Sequence, residues 1–345
     1  MAIIDKPTDY FNTVLYTGNG VDNRDITGLD FQPDMLWSKR RDSADNHSIY
    51  DIVRGSGLEL RTQTTDADLS RTNNIQALQT NGFQVGDDSQ VNASGGTYVS
   101  WGWSAGGAGV SNTDGSITST VSANTTSGFS IVSYTGNATA AATVGHGVGS
   151  ALDMIIVKKR SSTGQWVVGH KAMDSTFDNF LFLDSTSAKG NADNVFNDTA
   201  PTSSLFSIGN AGDTNASGQT YIAYCFAEKK GFSKFGSYTG NGSADGTFVY
   251  TGFRPAMVII KRTSGADRWA ISDNKRDPNN VVVGELNPND SAVEDTSSTP
   301  FDFLSNGFKI RRTGNVFNGS GESYIYMAFA ENPLVGTNNI PATAR

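Results

Sequence analysis

The chain has 345 residues, 17% of them charged, with 38 glycines and a formal net charge of −8. That length accommodates two or three units with sizeable cores, and the acidic balance argues against sequence-independent binding to nucleic-acid backbones. The rest is rich in Gly, Ser, Thr, Asn and Asp and has no apolar run at a 3.6-residue period, which disfavours a helical fold and points to short strands joined by tight turns; the expected class is all-β.

The first ten residues, Met1 to Tyr10, lack the basic start and apolar stretch of a secretion signal. No segment offers the roughly 18–20 apolar residues of a membrane span. The expectation is a chain made in a cytoplasm, without membrane insertion. The first landmark is Tyr-Thr-Gly-Asn, Tyr16 to Asn19, read as a strand end entering a turn in which Gly or Asn supplies left-handed geometry. Next comes an apolar strand ending in basic residues, Met35-Leu-Trp-Ser-Lys39-Arg40, then a second strand leading into Asp51-Ile-Val-Arg54, whose Asp and Arg are read as a salt bridge. A turn at Asn92-Ala-Ser-Gly-Gly-Thr-Tyr98 delivers the chain into a last apolar strand closing in Trp101-Gly-Trp103. Gly106 to Gly128 is a Gly/Ser/Thr/Asn tract that reads as a linker or long surface loop.

The landmarks then recur in the same order. The second set is Tyr134 to Asn137, Met154 to Lys159 and Asn215 to Tyr221, followed by Cys225-Phe-Ala227. The third is Tyr238 to Asn241, Met257 to Arg262 and Asn318 to Tyr324, followed by Ala328-Phe-Ala330. They shift together by about 120 residues and then by about 103, which composition alone does not produce. At the Asp51 position the third copy keeps Asp273-Asn-Lys-Arg276, while the second has His170-Lys-Ala-Met173 and so lacks the pair. Each copy offers five or six short apolar runs; in the third they are Phe232 to Tyr238, Thr247 to Tyr250, Ala256 to Lys261, Arg268 to Ser272, Phe308 to Arg312 and Tyr324 to Ala330. Met257-Val-Ile-Ile is continuously apolar and reads as a central strand covered on both faces. The expected architecture is three tandem antiparallel β-sandwich, jelly-roll-like modules: 1–105, a linker 106–128, 129–230, 231–333 and a tail 334–345.

Little in the sequence carries chemistry. His47, His146 and His170 occupy unrelated contexts and form no metal-ligand spacing, and the lone Cys225 sits in an apolar stretch as a small buried hydrophobe, so no cofactor or metal is expected. Asp87, Asp88, Asp213 and Glu322 near the last turns are candidate carboxylates for glycosidase chemistry or, at Asp213 to Asn215, for Ca²⁺, but read more simply as turn formers. The Asn-x-Ser triplets at Asn92 and Asn215 read as products of composition and not as glycan sites. Trp166 and Trp269 share a position held by His47 in the first copy, and Trp101 and Trp103 match aromatics in the others; such positions are core or, alternatively, a glycan-stacking face.

The ordered set of Gly28-Leu-Asp-Phe-Gln-Pro-Asp-Met-Leu-Trp-Ser-Lys-Arg-Arg41, His47 to Gly55, Thr80-Asn-Gly-Phe83 and Ser94 to Trp103 resembles a repeat module of tailed-phage virion proteins, notably tail-fibre-like proteins of marine cyanobacterial phages. The third copy matches similarly through Gly252-Phe-Arg-Pro-Ala-Met257 and Ser305-Asn-Gly-Phe308, and the second departs most. The resemblance implies a non-enzymatic virion protein, tail fibre or tail-associated, for assembly and recognition of host-surface glycans. Capsid decoration or a free lectin-like protein is the alternative, and a polysaccharide-degrading tail enzyme a more distant one. Partners would be other virion proteins, host glycans and further copies of the chain, with a trimer expected, and no nucleic acid.

Overall fold

The protein is described by a computed structural model covering residues 3–337; of the expected tail, 338–345 lie outside the described residues. The first copy contains β1 (Phe11–Thr17), β2 (Arg24–Thr27), β3 (Met35–Arg40), β4 (His47–Asp51), β5 (Leu58–Arg61), β6 (Leu69–Ser70), β7 (Ile75–Gln79), β8 (Gly82–Val85) and β9 (Thr97–Trp103). Next come β10 (Val110–Asn112), β11 (Ser119–Asn124), β12 (Phe129–Thr135), β13 (Ala142–Gly145), β14 (Met154–Lys159), β15 (Trp166–His170), β16 (Asn179–Phe182), β17 (Gly190–Asn191), β18 (Leu205–Ile208) and β19 (Thr220–Phe226). The third copy has β20 (Ser233–Thr239), β21 (Phe248–Tyr250), β22 (Phe253–Arg262), β23 (Ala270–Asp273), β24 (Phe301–Leu304), β25 (Gly307–Ile310) and β26 (Ser323–Pro333). The α-helices are single turns. The class is all-β, as expected, and the sheets are antiparallel throughout the named strands.

One strand order recurs in the large sheet of every copy: β1-β9-β3-β4, β12-β19-β14-β15 and β20-β26-β22-β23. A small sheet accompanies each, β2-β8-β7, β13-β18 and β21-β25-β24. The central strands read as continuous apolar runs because both of their faces are covered. Side chains alternating along β3, β14 and β22 explain how. Leu36, Ile155 and Val157, and Val258 and Ile260 face outward onto the small sheet of their own copy. Met35 and Trp37, Met154 and Ile156, and Met257 and Ile259 face inward and meet one another in a single core.

That shared core changes the tandem picture. The three large sheets pack face to face around a common centre, where Phe11, Trp103, Phe226, Phe235 and Phe329 touch ring to ring across copy boundaries. Loops then close the arrangement head to tail. Gly164 N–H donates to Thr65 O (2.9 Å), Asp267 N–H to Thr186 O (2.8 Å) and Asp45 N–H to Ser291 O (2.9 Å). A second set returns: Asp68 N–H to Arg160 O (2.9 Å), Lys189 N–H to Thr263 O (3.1 Å) and Glu294 N–H to Arg41 O (3.0 Å). First binds second, second binds third, and third binds first. The ring has approximate threefold symmetry within one chain.

The Gly106 to Gly128 tract is no free linker. It forms β10 and β11, which add to the edge of the second copy's large sheet through β12. Its expected looseness rested on few large apolar residues, but edge pairing needs only backbone groups and the alternate burial of Val121.

The repeated landmarks are one clamp built three times. Asn92 Oδ1 accepts from Asn19 N–H (3.0 Å), Asn215 Oδ1 from Asn137 N–H (2.8 Å) and Asn318 Oδ1 from Asn241 N–H (2.9 Å), and each amide nitrogen donates to carbonyls of neighbouring loops. Tyr16, Tyr134 and Tyr238 stack on Tyr98, Tyr221 and Tyr324 with centroids 4.9, 5.1 and 4.8 Å apart. The Asn-x-Ser triplets therefore arise from a structural need and not from composition; their Asn side chains are buried. The glycine of Tyr-Thr-Gly-Asn is required by close approach, not by left-handed geometry: a Cβ on Gly18, Gly136 or Gly240 would stand 2.1, 2.5 or 2.3 Å from a backbone oxygen of the facing turn. The positive φ falls two residues later, at Gly20, Ala138 and Gly242. Gly18→Ala or Gly136→Ala should each lower stability by about 1–3 kcal/mol through this overlap, measured by denaturant titration, whereas Gly212→Ala, where a Cβ meets open space, should leave it unchanged or raised.

Candidate functional site

The residues that sequence reasoning singles out converge on the three junctions between copies. At the first, Asp51 and Arg54 form a fully buried pair (2.5 Å), and Tyr224 of the second copy donates its hydroxyl to Asp51 Oδ2 (2.7 Å). At the third, Asp273 and Arg276 pair identically (2.5 Å), and Trp101 of the first copy donates its indole N–H to Asp273 Oδ2 (3.1 Å) while Arg276 lies over its ring. At the second, His170 replaces the aspartate, Met173 the arginine, and Met327 the donor aromatic. His170 Nδ1 accepts from Ala172 N–H (3.1 Å), so Nε2 carries the proton and donates to Tyr326 O (3.2 Å). The expected salt bridge is real, but it ties neighbouring copies together as well as a strand to its loop. Its loss in the second copy is matched by loss of the donor opposite.

The tryptophans offered as glycan-stacking candidates do not stack on anything from outside. Trp101 and Trp166 are 0% exposed and Trp103 and Trp269 are 1% exposed, so this expectation is corrected. Trp166 donates to Arg61 O (2.9 Å) and Trp269 to Phe182 O (2.9 Å), each reaching into the preceding copy. Large rings are placed there because they fill a core while their single polar atom finds a partner.

The strand-end lysines Lys39, Lys158 and Lys261 are also buried, with Nζ donating to backbone carbonyls, and burial lowers each to about 8. Cys225 is buried and its thiol is pushed up by burial, so it is a packed hydrophobe and not a nucleophile. Among the carboxylates, Asp88 caps a helix turn through Gln90 N–H (2.8 Å), Asp213 accepts from Gln165 N–H (3.1 Å) and Glu322 pairs with Arg262 (2.7 Å). They are engaged separately and do not converge; among the described residues no group of His, Cys, Asp or Glu is arranged to hold a metal.

A cleft of about 580 Å³ opens between the second and third copies. Its walls are Asp153, Lys171, Glu228 and Lys234, with Tyr250 and Gly252 at one side. Lys171 pairs with Asp153 and stands 3.8 Å from Glu228 Oε2, and Lys234 Nζ is 2.7 Å from Glu228 Oε1. Glu228 N–H in turn donates to Asp153 Oδ2, fixing the wall. At the first junction the corresponding place is occupied: Asp34, the counterpart of Asp153, accepts from Ala105 and Gly107 N–H, and a Cβ on Gly109 would reach Val53. The extra β10–β11 hairpin lies there. The tract thus fills this place at the first junction, whereas at the third, where Ala256 and Asn274 are the counterparts of Asp153 and Lys171, a smaller cavity of about 210 Å³ remains.

Tyr250 is 56% exposed and Phe248 is 45% exposed, the two aromatic rings among the exposed large apolar side chains described. Sequence reasoning missed both. Their register shows why they stand out: Phe248 faces Lys309 as Asp25 faces Gln84 and Thr143 faces Ser207, and Tyr250 takes the place of Thr27 and Gly145. Position-by-position alignment of the small sheets would have revealed them.

The fold and junctions define an all-β protein of three internally repeated units locked into one ring. The chain belongs to the family described as Domain of unknown function (DUF7483), whose model matches residues 6–333 and so spans all three copies at once. No curated protein and no solved structure matches the chain.

Proposed function

We propose that the protein is a non-enzymatic structural component of a tailed-phage virion, tail fibre or tail-associated, that assembles with other virion proteins and recognises the host surface. The observation that carries this reading is the ring itself: the repeated charged and aromatic residues are spent on holding three sheets together, as in a rigid display element, and not gathered around a reactive centre. The ordered motifs resembling tail-fibre repeat modules supply the virion context. The chain would act as an oligomer, with a trimer the specific expectation. Mass spectrometry of purified particles tests the proposal, with peptides of this chain expected at a stoichiometry fitting a tail position. Their absence from particles would overturn it, and a copy number matching the capsid lattice would favour capsid decoration instead.

A further inference from the structure

We propose that the cleft between the second and third copies binds a neutral pyranose saccharide, stacked on Tyr250 and held through its hydroxyls by Lys171, Glu228 and Lys234. The inference rests on the recognition half of the proposed function and is independent of its virion half.

The internal repeat supplies the main argument. Three copies share one fold, so a position needed by that fold should carry similar chemistry in each. The outward positions of the small sheet are Asp25 and Thr27 in the first copy and Thr143 and Gly145 in the second; in the third they are Phe248 and Tyr250. The first copy folds with polar residues there and the second covers its pair, with Gly145 lying against Asn112, so the fold itself does not ask for exposed aromatics. Two exposed rings at i and i+2 on one strand face also form a contiguous apolar patch, which marks an interaction site more than a lone exposed side chain does. Tyr250 lines a junction cleft whose wall carries paired charges.

The chemistry selects the ligand. A pyranose presents C–H groups on one face, which pack on an aromatic ring, and a rim of hydroxyls that each donate and accept. An ammonium and a carboxylate side by side satisfy both roles, and the cleft holds two such pairs, Lys171–Asp153 and Lys234–Glu228. Two of the three lysines that line the cleft are engaged by its two carboxylates, and the exposed Lys230 alone is left to meet an anion, so the hydroxyls of a neutral sugar match the paired groups better than a charged one does. The volume of about 580 Å³ falls in the range of small-ligand sites. Phe248, two residues along the same strand face, lies about 7 Å away by strand geometry and extends the platform toward a second ring.

Saturation-transfer NMR and calorimetry on the full chain test this, with glucose, galactose, mannose and N-acetylglucosamine and their β- and α-linked disaccharides as probes. At least one should bind, with Tyr250→Ala weakening it about tenfold or more, equivalent to roughly 1.4 kcal/mol. Tyr250→Phe should retain it, and Tyr250→Thr, the residue of the first copy, should behave like Tyr250→Ala while keeping the wild-type thermal midpoint. Failure of every neutral probe, binding indifferent to Tyr250→Ala, or binding only of sialylated or uronic-acid oligosaccharides would each overturn the proposal. Particles that contain the chain while it binds no sugar would sink this inference alone; sugar binding by a chain absent from particles would sink the virion assignment alone.

Discussion

Arg54→Met should destabilise the protein by about 3–5 kcal/mol, because it leaves Asp51 buried without its cation. The same side chain also donates to Ile49 O and Leu58 O and pairs with Asp68 (3.0 Å), so its removal opens several groups at once. The second junction shows how the molecule manages without the pair: histidine for aspartate, and methionine for both the arginine and the facing aromatic. The triple variant Asp51→His, Arg54→Met, Tyr224→Met imports that solution and should recover a large part of the loss. Conversely, His170→Asp should cost about 3 kcal/mol or more, since Met173 and Met327 offer the new carboxylate neither cation nor donor. Adding Met173→Arg and Met327→Tyr should restore stability. Urea titrations of single, double and triple variants give the coupling directly; additive effects would show that the three positions are not one unit.

Stability should fall as pH drops from 6.5 toward 4, and the buried histidines set the slope. All three share one arrangement, with Nδ1 accepting an N–H: Val148 for His146 (3.2 Å), Ala172 for His170 (3.1 Å) and Trp37 for His47 (3.1 Å). Protonating Nδ1 sets a proton against that N–H and places a charge in the interior. Burial accordingly lowers His146 and His170 to about 4 and holds His47 well below its usual range. A depressed histidine contributes stability that is full above about 6.5 and lost as pH falls through the folded value, roughly 3 kcal/mol for each of His146 and His170. Asp184, raised to about 6 by burial, works the other way and offsets roughly one histidine's share. The clean measurement is therefore a difference. His170→Gln keeps a donor for Tyr326 O but cannot charge, so its stability relative to the wild type should rise steadily from pH 6.5 to 4. A constant difference across that range would show that His170 does not titrate with folding.

Most of the strand content was legible from the chain. The expected runs at Ala256 to Lys261 and Tyr324 to Ala330 lie within β22 and β26. Phe301–Leu304 was missed because a four-residue strand, flanked by Pro300 and by Ser305-Asn306, is too short a window for an alternation to stand out. The site was largely illegible. Four tryptophans drew attention because indoles are rare and large, yet they are core residues, while Tyr250 in an ordinary Val-Tyr-Thr stretch is the exposed one. A strand's two faces are equally visible in sequence, but which face meets solvent depends on what packs above it.

The residues alone determined the threefold repetition, the all-β class and the places of the landmark turns, because recurring motif order, alternation and turn formers are local in the chain; that the glycines serve close approach and that Asn and Tyr clamp loops over 70 residues apart came from the structure. Only the tertiary structure decided that the repeats are one body and not three. The inward face of each large sheet is as apolar as the outward one, and its covering comes from the other two copies, more than a hundred residues away in the chain. The same distance hid the exchange of Asp, Arg and Tyr for His, Met and Met at the second junction, since no neighbour in sequence records which side chain stands opposite His170.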